Sequence, residues 1–161
     1  MLRTVSLSKE LTRGNLYLCA MPGRVEALEV FLEEIAEAGI GHVMCLVSDA
    51  EIARKSPDYL AAIQRSEIPG TLWRFEITDY GLPSSPDELD QTLGLIRNQL
   101  DSGESVVIHC AAGHGRTGMV SILLLAYMGI PLDQAIEAIR LAGSAPDTQT
   151  QWDFIRQRAR S

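Results

Sequence analysis

Residues 106–118 constrain the fold more than any other segment of the chain. An apolar, largely β-branched run ends in His109-Cys110, a loop with two glycines follows, and Arg116 precedes an apolar helical pattern over residues 119–128. This order predicts a strand, a tight loop and the N-terminus of a helix. The N–H groups of such a loop point at one spot, and the helix dipole adds partial positive charge there. The segment therefore predicts an anion-binding loop.

The residue types in the loop predict its chemistry. Cys110 opens the loop and Arg116 closes it. Inward-pointing amides, a helix dipole and a guanidinium all favour the thiolate form of a cysteine, which is the nucleophilic form. The planar fork of Arg116 matches two phosphate oxygens. Gly113 and Gly115 permit backbone conformations that a Cβ atom opposes. We therefore expect a nucleophilic cysteine beside a phosphate site.

The pattern His-Cys-x5-Arg-Thr resembles the phosphate-binding loop of the cysteine-dependent protein tyrosine and dual-specificity phosphatases. The resemblance implies a catalytic Cys110 and Arg116, with Thr117 bonded to the departing thiolate and His109 orienting the loop from the strand side. It also implies a phosphate-binding set that runs through Cys110, Ala111, Ala112, Gly113, His114, Gly115 and Arg116.

Other interpretations of the loop compete with this one. A Walker A loop needs Gly-Lys-Ser/Thr, whereas Gly115 is followed by Arg116-Thr117, so that interpretation fails. A rhodanese-like sulfurtransferase also uses a cysteine-led loop, but it does not need a neighbouring acid. A buried structural cysteine beside a surface arginine, and a catalytically weak module that only binds phosphate groups, stay open as alternatives.

Asp79 is the candidate general acid. It follows an alternating strand pattern and lies 31 residues before Cys110, with one helix and one strand predicted between them. Its carboxyl group is therefore expected at the same sheet edge as Cys110, where it can protonate a leaving oxygen and then activate water. The segment Asp-Tyr-Gly-Leu-Pro-Ser resembles the general-acid loop of the dual-specificity phosphatases. The alternative is an aspartate that only forms a turn beside Gly81 and Pro83.

A third segment, residues 143–155, resembles the stretch before the final helix in the same family. By that match Gln151 holds the attacking water, and Gln149 is the near alternative. A solvated glutamine at a helix start is the ordinary interpretation of either residue. The order of all these segments resembles the kinase-associated phosphatases and their microbial relatives over nearly the whole chain.

One departure from related enzymes bears on the substrate. Phosphoinositide phosphatases of this superfamily carry lysines in the loop, whereas Ala111, Ala112 and His114 supply none. The chain also lacks the loop that deepens the site of tyrosine-specific enzymes. We therefore expect a shallow site that accepts phosphotyrosine and phosphoserine or phosphothreonine in proteins, with phosphoinositides poor by comparison.

The three cysteines, Cys19, Cys45 and Cys110, lack zinc-site spacing and cannot all pair with one another. Free thiols suit a reducing cytoplasm. Cys19 and Cys45 are most simply small apolar core residues. Some relatives in the family protect the nucleophile in a disulfide, and the resemblance makes Cys45 the expected partner of Cys110.

Composition limits the location and the partners. The 161 residues suit one domain over 1–161, no apolar run reaches the ~18–20 residues of a membrane span, and the start does not resemble a signal peptide. We therefore expect a cytoplasmic protein, and we take a monomer as its expected state. The excess of 21 acidic over 14 basic residues argues against nucleic acid and anionic membranes as partners. The expected chemistry needs no metal or other cofactor.

Strand patterns alternate with helical ones, which predicts a three-layer α/β fold with a mainly parallel central sheet and helices on both faces. Ligands of such sheets bind at the carboxyl ends of the strands, where Cys110 lies. The predicted strands cover 15–20, 42–47, 71–77 and the run before Cys110, and the main predicted helices cover 24–38, 59–65, 86–100, 119–128, 132–141 and 148–158.

Overall fold

The computed structural model describes residues 1–160 and contains a five-stranded sheet in the order β1-β2-β5-β3-β4. The strands are β1 (Arg3–Val5), β2 (Leu16–Cys19), β3 (Ile40–Cys45), β4 (Thr71–Arg74) and β5 (Ser105–His109). β1 pairs antiparallel with β2, and every other pairing is parallel. The prediction of a mainly parallel sheet is confirmed.

β5 is the central strand, and its residues are buried along its whole length. It pairs with β2 on one side and β3 on the other, so that Cys19 and Cys45 both lie opposite His109. A strand whose side chains are buried on both faces requires cover on both sides of the sheet. Cys110, the next residue along the chain, is therefore delivered to the carboxyl edge of the sheet.

The helices supply that cover. They are α1 (Leu28–Ala38), α2 (Asp49–Lys55), α3 (Pro57–Gln64), α4 (Pro86–Asp101), α5 (Gly115–Tyr127), α6 (Leu132–Leu141) and α7 (Gln149–Ala159). α5 contacts α4, α6 and α7, and its residues from Gly115 to Leu125 are buried. α1 packs on β3, and the α3 residue Tyr59 meets the ring of Phe31 on α1. The expected α/β architecture is confirmed.

Two helix ends follow the sequence signals. The Ser85 hydroxyl accepts a hydrogen bond from the Glu88 N–H (3.3 Å) at the start of α4, and Pro86 occupies the first helical position. Gly39 ends α1 in the left-handed region with φ 67°.

Some boundaries differ from the predictions. β1 has no clear signal, because a three-residue strand has too few positions for an alternating pattern. α1 begins at Leu28 rather than residue 24, since residues 24–27 form an exposed turn region. β4 ends at Arg74 rather than residue 77, although the N–H groups of Phe75 and Ile77 still donate to carbonyls at the end of β3 and just after it, those of Cys45 and Leu46. In the described part of the chain, no helix is long and apolar enough to span a membrane.

Candidate active site

The loop that joins β5 to α5, residues 110–116, is held from outside by its carbonyl groups. The N–H of Met21 donates to the Ala111 carbonyl (2.9 Å), and the Ser144 hydroxyl donates to the Gly113 carbonyl. Cys110 at the loop entrance is only 2% exposed. Carbonyls bonded outward leave the opposite, N–H side of those peptides facing the interior of the loop. This is the arrangement expected of an anion site.

The predicted need for a special backbone conformation is met at Gly113 but not at Gly115, which has no positive φ. Gly113 has φ 75°, and a Cβ atom there would lie 2.6 Å from the Cys19 carbonyl oxygen. A Cβ atom on Gly115 would collide with the Asp147 carboxylate. A side chain at Gly113 would therefore have to displace backbone, whereas one at Gly115 would have to displace the Asp147 side chain.

The Arg116 side chain is buried and paired with Glu51. Its terminal nitrogens donate to both carboxylate oxygens of Glu51 at 3.0 and 2.9 Å, and one of them also donates to the Ile77 carbonyl (2.9 Å). The hydrogen bonds from Arg116, against the opposing effect of burial, lower the pKa of Glu51 to about 2. Burial lowers the pKa of Arg116, but Glu51, Cys110 and Asp79 outweigh burial and raise it overall. Both groups therefore stay charged at neutral pH.

Glu51 was not identified from the sequence. Ser48 caps α2 by accepting the Glu51 N–H (3.3 Å), and Lys55 donates to the Glu51 carboxylate one turn later (2.9 Å). The Ser-x-x-Glu spacing is a helix-start signal, and the Lys at i+4 is a common surface pair. Neither signal indicates that the carboxylate reaches an arginine 65 residues away. Arg74 secures the start of α2 by donating to the Val47 carbonyl and the Asp49 side chain.

Asp79 lies on the loop after β4, at the same sheet edge as Cys110. Its carboxylate is 3.3 Å from a terminal nitrogen of Arg116, and its side chain is 42% exposed. The Tyr80 N–H donates to the same carboxylate oxygen (3.1 Å), and the Gly81 N–H closes a turn onto the Thr78 carbonyl (2.7 Å). The structure thus brings the predicted acid to the predicted arginine while leaving it open to solvent.

Gln151 connects the start of α7 to the loop that holds Asp79, residues 78–84, here called the acid loop. Its side-chain oxygen accepts from the N–H groups of Asp147 (2.8 Å) and Thr148 (3.3 Å), and its side-chain nitrogen donates to the Gly81 carbonyl (3.1 Å). Gln149 is exposed and bonds Asp153 on its own helix (2.9 Å). Of the two candidates, only Gln151 reaches the acid loop through a hydrogen bond.

His109 contacts the loop from the strand side. Its Nδ1 lies 3.0 Å from the Cys110 carbonyl, and its Nε2 lies 2.8 Å from the Tyr59 hydroxyl. A carbonyl oxygen only accepts, so Nδ1 carries the proton, and in the neutral ring Nε2 accepts from Tyr59. Burial raises the pKa of Tyr59 well above its usual value, so its hydroxyl stays a donor. Tyr59 was also missed, because a tyrosine between Asp58 and Leu60 on a short helix gives no functional signal.

Several buried polar atoms at the loop lack a protein partner. Among residues 1–160, Arg116 Nε, Thr117 Oγ1 and Ser121 Oγ make no hydrogen bond. Buried polar groups are nearly always satisfied, and exceptions cluster where a ligand or solvent completes the bonding. The family resemblance implies that Arg116 contacts phosphate and that Thr117 contacts the thiolate.

The three cysteines are free. Cys19 and Cys45 lie on the strands that flank β5, and both are buried. Burial raises the pKa of Cys19 to about 12, which makes its thiol unreactive. The Cys45 sulfur lies 3.7 Å from the Val47 carbonyl oxygen. A disulfide between Cys45 and Cys110 stays a prediction.

The described residues contain no group of three or more His, Cys, Asp or Glu side chains placed to hold a metal ion.

Comparison with known proteins gives a family match over most of the chain. Residues 19–129 match the family model described as Tc-R-P, polymorphic toxin system, DSP-PTPase phosphatase. An uncharacterized Methanocaldococcus jannaschii protein, MJECL20, is 32% identical over 83 residues, which cover 50% of this chain and 54% of that protein. Protein tyrosine phosphatase type IVA 3 of Bos taurus is 32% identical over 82 residues, which cover 50% of this chain and 46% of that protein. The matches thus span about half the length of these relatives.

The fold of nearly the whole chain resembles solved structures. Kinase associated phosphatase, with serine in place of its catalytic-site cysteine, superposes with a TM-score of 0.82 at 24% identity, covering 98% of this chain and 92% of that one. The active form of Tk-PTP gives a TM-score of 0.73 at 24% identity, covering 99% and 96%. At this level of identity these two similarities establish the fold.

Proposed function

The chain belongs to the DSP-PTPase phosphatase family, and from this premise we propose that it is a cysteine-dependent phosphomonoester hydrolase, a single catalytic domain over residues 1–161, that acts on phosphorylated proteins. The observation that carries the proposal is the convergence of Cys110, Arg116 and Asp79 at one sheet edge. The distance of 3.3 Å between Arg116 and Asp79 supports the assignment of Asp79 as the general acid beside residues 110–116, the phosphate loop. A sulfurtransferase with a similar cysteine loop would not need a general acid at this position.

The proposed reaction has two steps. In the first, the Cys110 thiolate attacks phosphorus, a sulfur–phosphorus bond forms, and the bond from phosphorus to the leaving oxygen breaks as Asp79 donates its proton to that oxygen. In the second, water attacks the cysteinyl-phosphate while the Asp79 carboxylate takes its proton. Inorganic phosphate leaves and the Cys110 thiolate is restored. Gln151 is assigned to the water and Thr117 to the departing thiolate.

The loop amides and Arg116 hold the equatorial oxygens of the phosphoryl group while charge spreads over them. Glu51 keeps the guanidinium plane fixed through two hydrogen bonds. A bidentate pair of this kind restricts an arginine far more than a single bond does. His109 is assigned to orienting the Cys110 end of the loop through the Cys110 carbonyl.

The proposed substrates are phosphotyrosine and phosphoserine or phosphothreonine in proteins. Ligands with several phosphates are disfavoured, because each extra phosphate needs its own cation. The loop supplies Ala111, Ala112 and His114 where lysines would serve, and the net charge of the protein is −7. The same charge disfavours nucleic acid and membrane surfaces as partners. We further propose that the protein acts in the cytoplasm as a monomer, without metal or other cofactor.

Hydrolysis of p-nitrophenyl phosphate in EDTA tests the reaction class directly. We expect steady turnover by the purified protein with the chelator present. A protein that binds tungstate but releases no p-nitrophenol would instead be a phosphate-binding module. A parallel panel of phosphotyrosine peptide, phosphothreonine peptide and a polyphosphoinositide tests the substrate class, and a kcat/KM highest for the phosphoinositide would contradict it.

A further inference from the structure

One side chain of the edge strand β1 joins two distant loops at the candidate site. The terminal nitrogens of Arg3 donate to the carbonyl oxygens of Gly113 in the phosphate loop and Gly143 after α6, each at 2.6 Å. These partners lie 110 and 140 residues along the chain from Arg3. The guanidinium is half-buried, and burial lowers its pKa. Arginine has the fixed fork of donors needed to bond two carbonyls at once.

The Gly113 carbonyl accepts a second hydrogen bond, from the hydroxyl of Ser144. Both acceptor positions of this oxygen are therefore occupied from outside the loop. The Gly143 carbonyl likewise lies 2.9 Å from Nδ1 of the His114 ring. Arg3 is thus the centre of a small network that ties β1, the phosphate loop and the loop before α7 together.

The Gly113 carbonyl belongs to the same peptide unit as the N–H of His114. In a planar trans peptide the carbonyl and the N–H point in opposite directions. Arg3 and Ser144, by holding the carbonyl on the outside, turn the His114 N–H toward the inside of the loop. A cation bonded to the carbonyl also polarises the peptide, which strengthens its N–H as a donor.

We propose that Arg3, together with Ser144, is a positioning residue for oxyanion binding, acting through the Gly113–His114 peptide. This inference rests on the proposed function, because it assigns an amide to the phosphate that Cys110 attacks. Arg3 touches neither substrate nor the reacting atoms. A merely structural Arg3 would support β1 and the fold, but would leave the affinity of the folded protein for an oxyanion unchanged.

The test separates the inference from the proposed function by using two readouts. Tungstate binding is measured by calorimetry in the Cys110→Ser background, where no covalent step occurs, and kcat/KM for p-nitrophenyl phosphate is measured with Cys110 present. If the parent protein does not hydrolyse the ester, the proposed function fails, while the tungstate measurement still tests Arg3. Arg140→Met is the matched control, since Arg140 pairs with Glu137 on the surface of α6 and its loss changes the net charge equally.

We expect Arg3→Met to weaken tungstate binding about tenfold and to lower kcat/KM by about 10–100-fold, the range for a charge-assisted bond at a phosphate site. Arg3→Lys should recover part of both losses because it keeps the charge. Arg140→Met should stay within about twofold of the parent. A folded Arg3→Met protein whose tungstate affinity matches the parent within about twofold would overturn the inference.

Ser144→Ala removes one bond from the same carbonyl and keeps the proposal testable if Arg3→Met does not fold. We expect a loss of tungstate affinity of about threefold or more. Where both variants fold, the double variant should deviate from additivity, because both side chains act on one carbonyl oxygen. Additive effects of the Arg3 and Ser144 substitutions would contradict action through this peptide. A folded Ser144→Ala protein with unchanged tungstate affinity would contradict it as well.

Discussion

The phosphate loop and the acid loop meet at one site but are held by different means. The phosphate loop, residues 110–116, continues directly from β5 into α5, and most of its residues are buried. The acid loop, residues 78–84, is mostly exposed and contains Tyr80 at φ 61°, a conformation that costs a tyrosine about 1–3 kcal/mol. Its position depends on the side chains of Arg116 and Gln151.

This difference predicts that substitutions in the two loops have different effects on stability and activity. Changes at the phosphate loop and its buried supports should affect both stability and activity, because charged groups and carbonyls there have no access to solvent as an alternative partner. Changes at the acid loop should affect activity with little effect on stability, since its groups are already hydrated. The four predictions below test this contrast in order of decreasing effect on rate.

Cys110→Ser should reduce turnover to background. Serine keeps the shape of the side chain but does not ionise near neutral pH, so the nucleophile is lost while the loop still binds oxyanions. Turnover of p-nitrophenyl phosphate and tungstate binding measure the two properties. Residual activity within about tenfold of the parent would show that Cys110 is not the nucleophile.

Asp79→Asn should lower the rate by about 10²–10⁴ and leave the free energy of unfolding nearly unchanged. An asparagine amide is too weak an acid to protonate the leaving oxygen and too weak a base to take a proton from water, so both steps should slow. Turnover of p-nitrophenyl phosphate and urea unfolding measure the rate and the stability. An unchanged rate would leave Asp79 a turn residue, and a large loss of stability would contradict the contrast between the loops.

Glu51→Gln should reduce both rate and stability. The rate should fall by about 10–100-fold, because Arg116 loses its bidentate partner. Because the pKa of Glu51 in the fold is lowered from an ordinary 4.5 to about 2, the ionised carboxylate contributes stability that is present above pH 4.5 and is lost as the pH falls toward 2.

The variant lacks this titration, so its stability should vary less with pH between 4.5 and 2. Urea unfolding at several pH values measures the difference. Asp79→Asn serves as the control, since it removes a carboxylate that is 42% exposed and also faces Arg116. If the free energy of unfolding of the Glu51→Gln protein depended on pH as strongly as that of the parent, the buried Glu51–Arg116 pair would not be the source of this pH dependence.

Gln151→Ala should have the smallest effect on rate, about tenfold, because it releases the acid loop from α7 without removing a reacting group. Gln149→Ala is its matched control two residues away, since Gln149 bonds only within its own helix at the surface. The loss should fall on kcat rather than KM if Gln151 acts on the second step. Equal rates for the two variants would exclude a role for Gln151.

The amino-acid sequence by itself determined the phosphate loop, because every part of that signal is local. The signal lies within residues 106–128: the apolar run before Cys110, the two glycines and the apolar pattern after Arg116. These three patterns predict a strand, a tight loop and a helix, respectively. The helix start at Ser85 and the helix end at Gly39 were predictable for the same reason. The position of Asp79 also followed, since parallel strands share a carboxyl edge.

Tertiary structure alone decided which side chains, other than those of His109 and Gln151, support the site. Glu51, Tyr59 and Arg3 bond partners 65, 50 and 110 residues away, and their neighbours in sequence give no sign of it. Burying an arginine and a carboxylate is unfavourable until packing brings them together with good geometry, so their pairing is a property of the assembled fold. The edge strand β1 depends on the sheet in the same way: three residues form a strand only because β2 is already there to bond them.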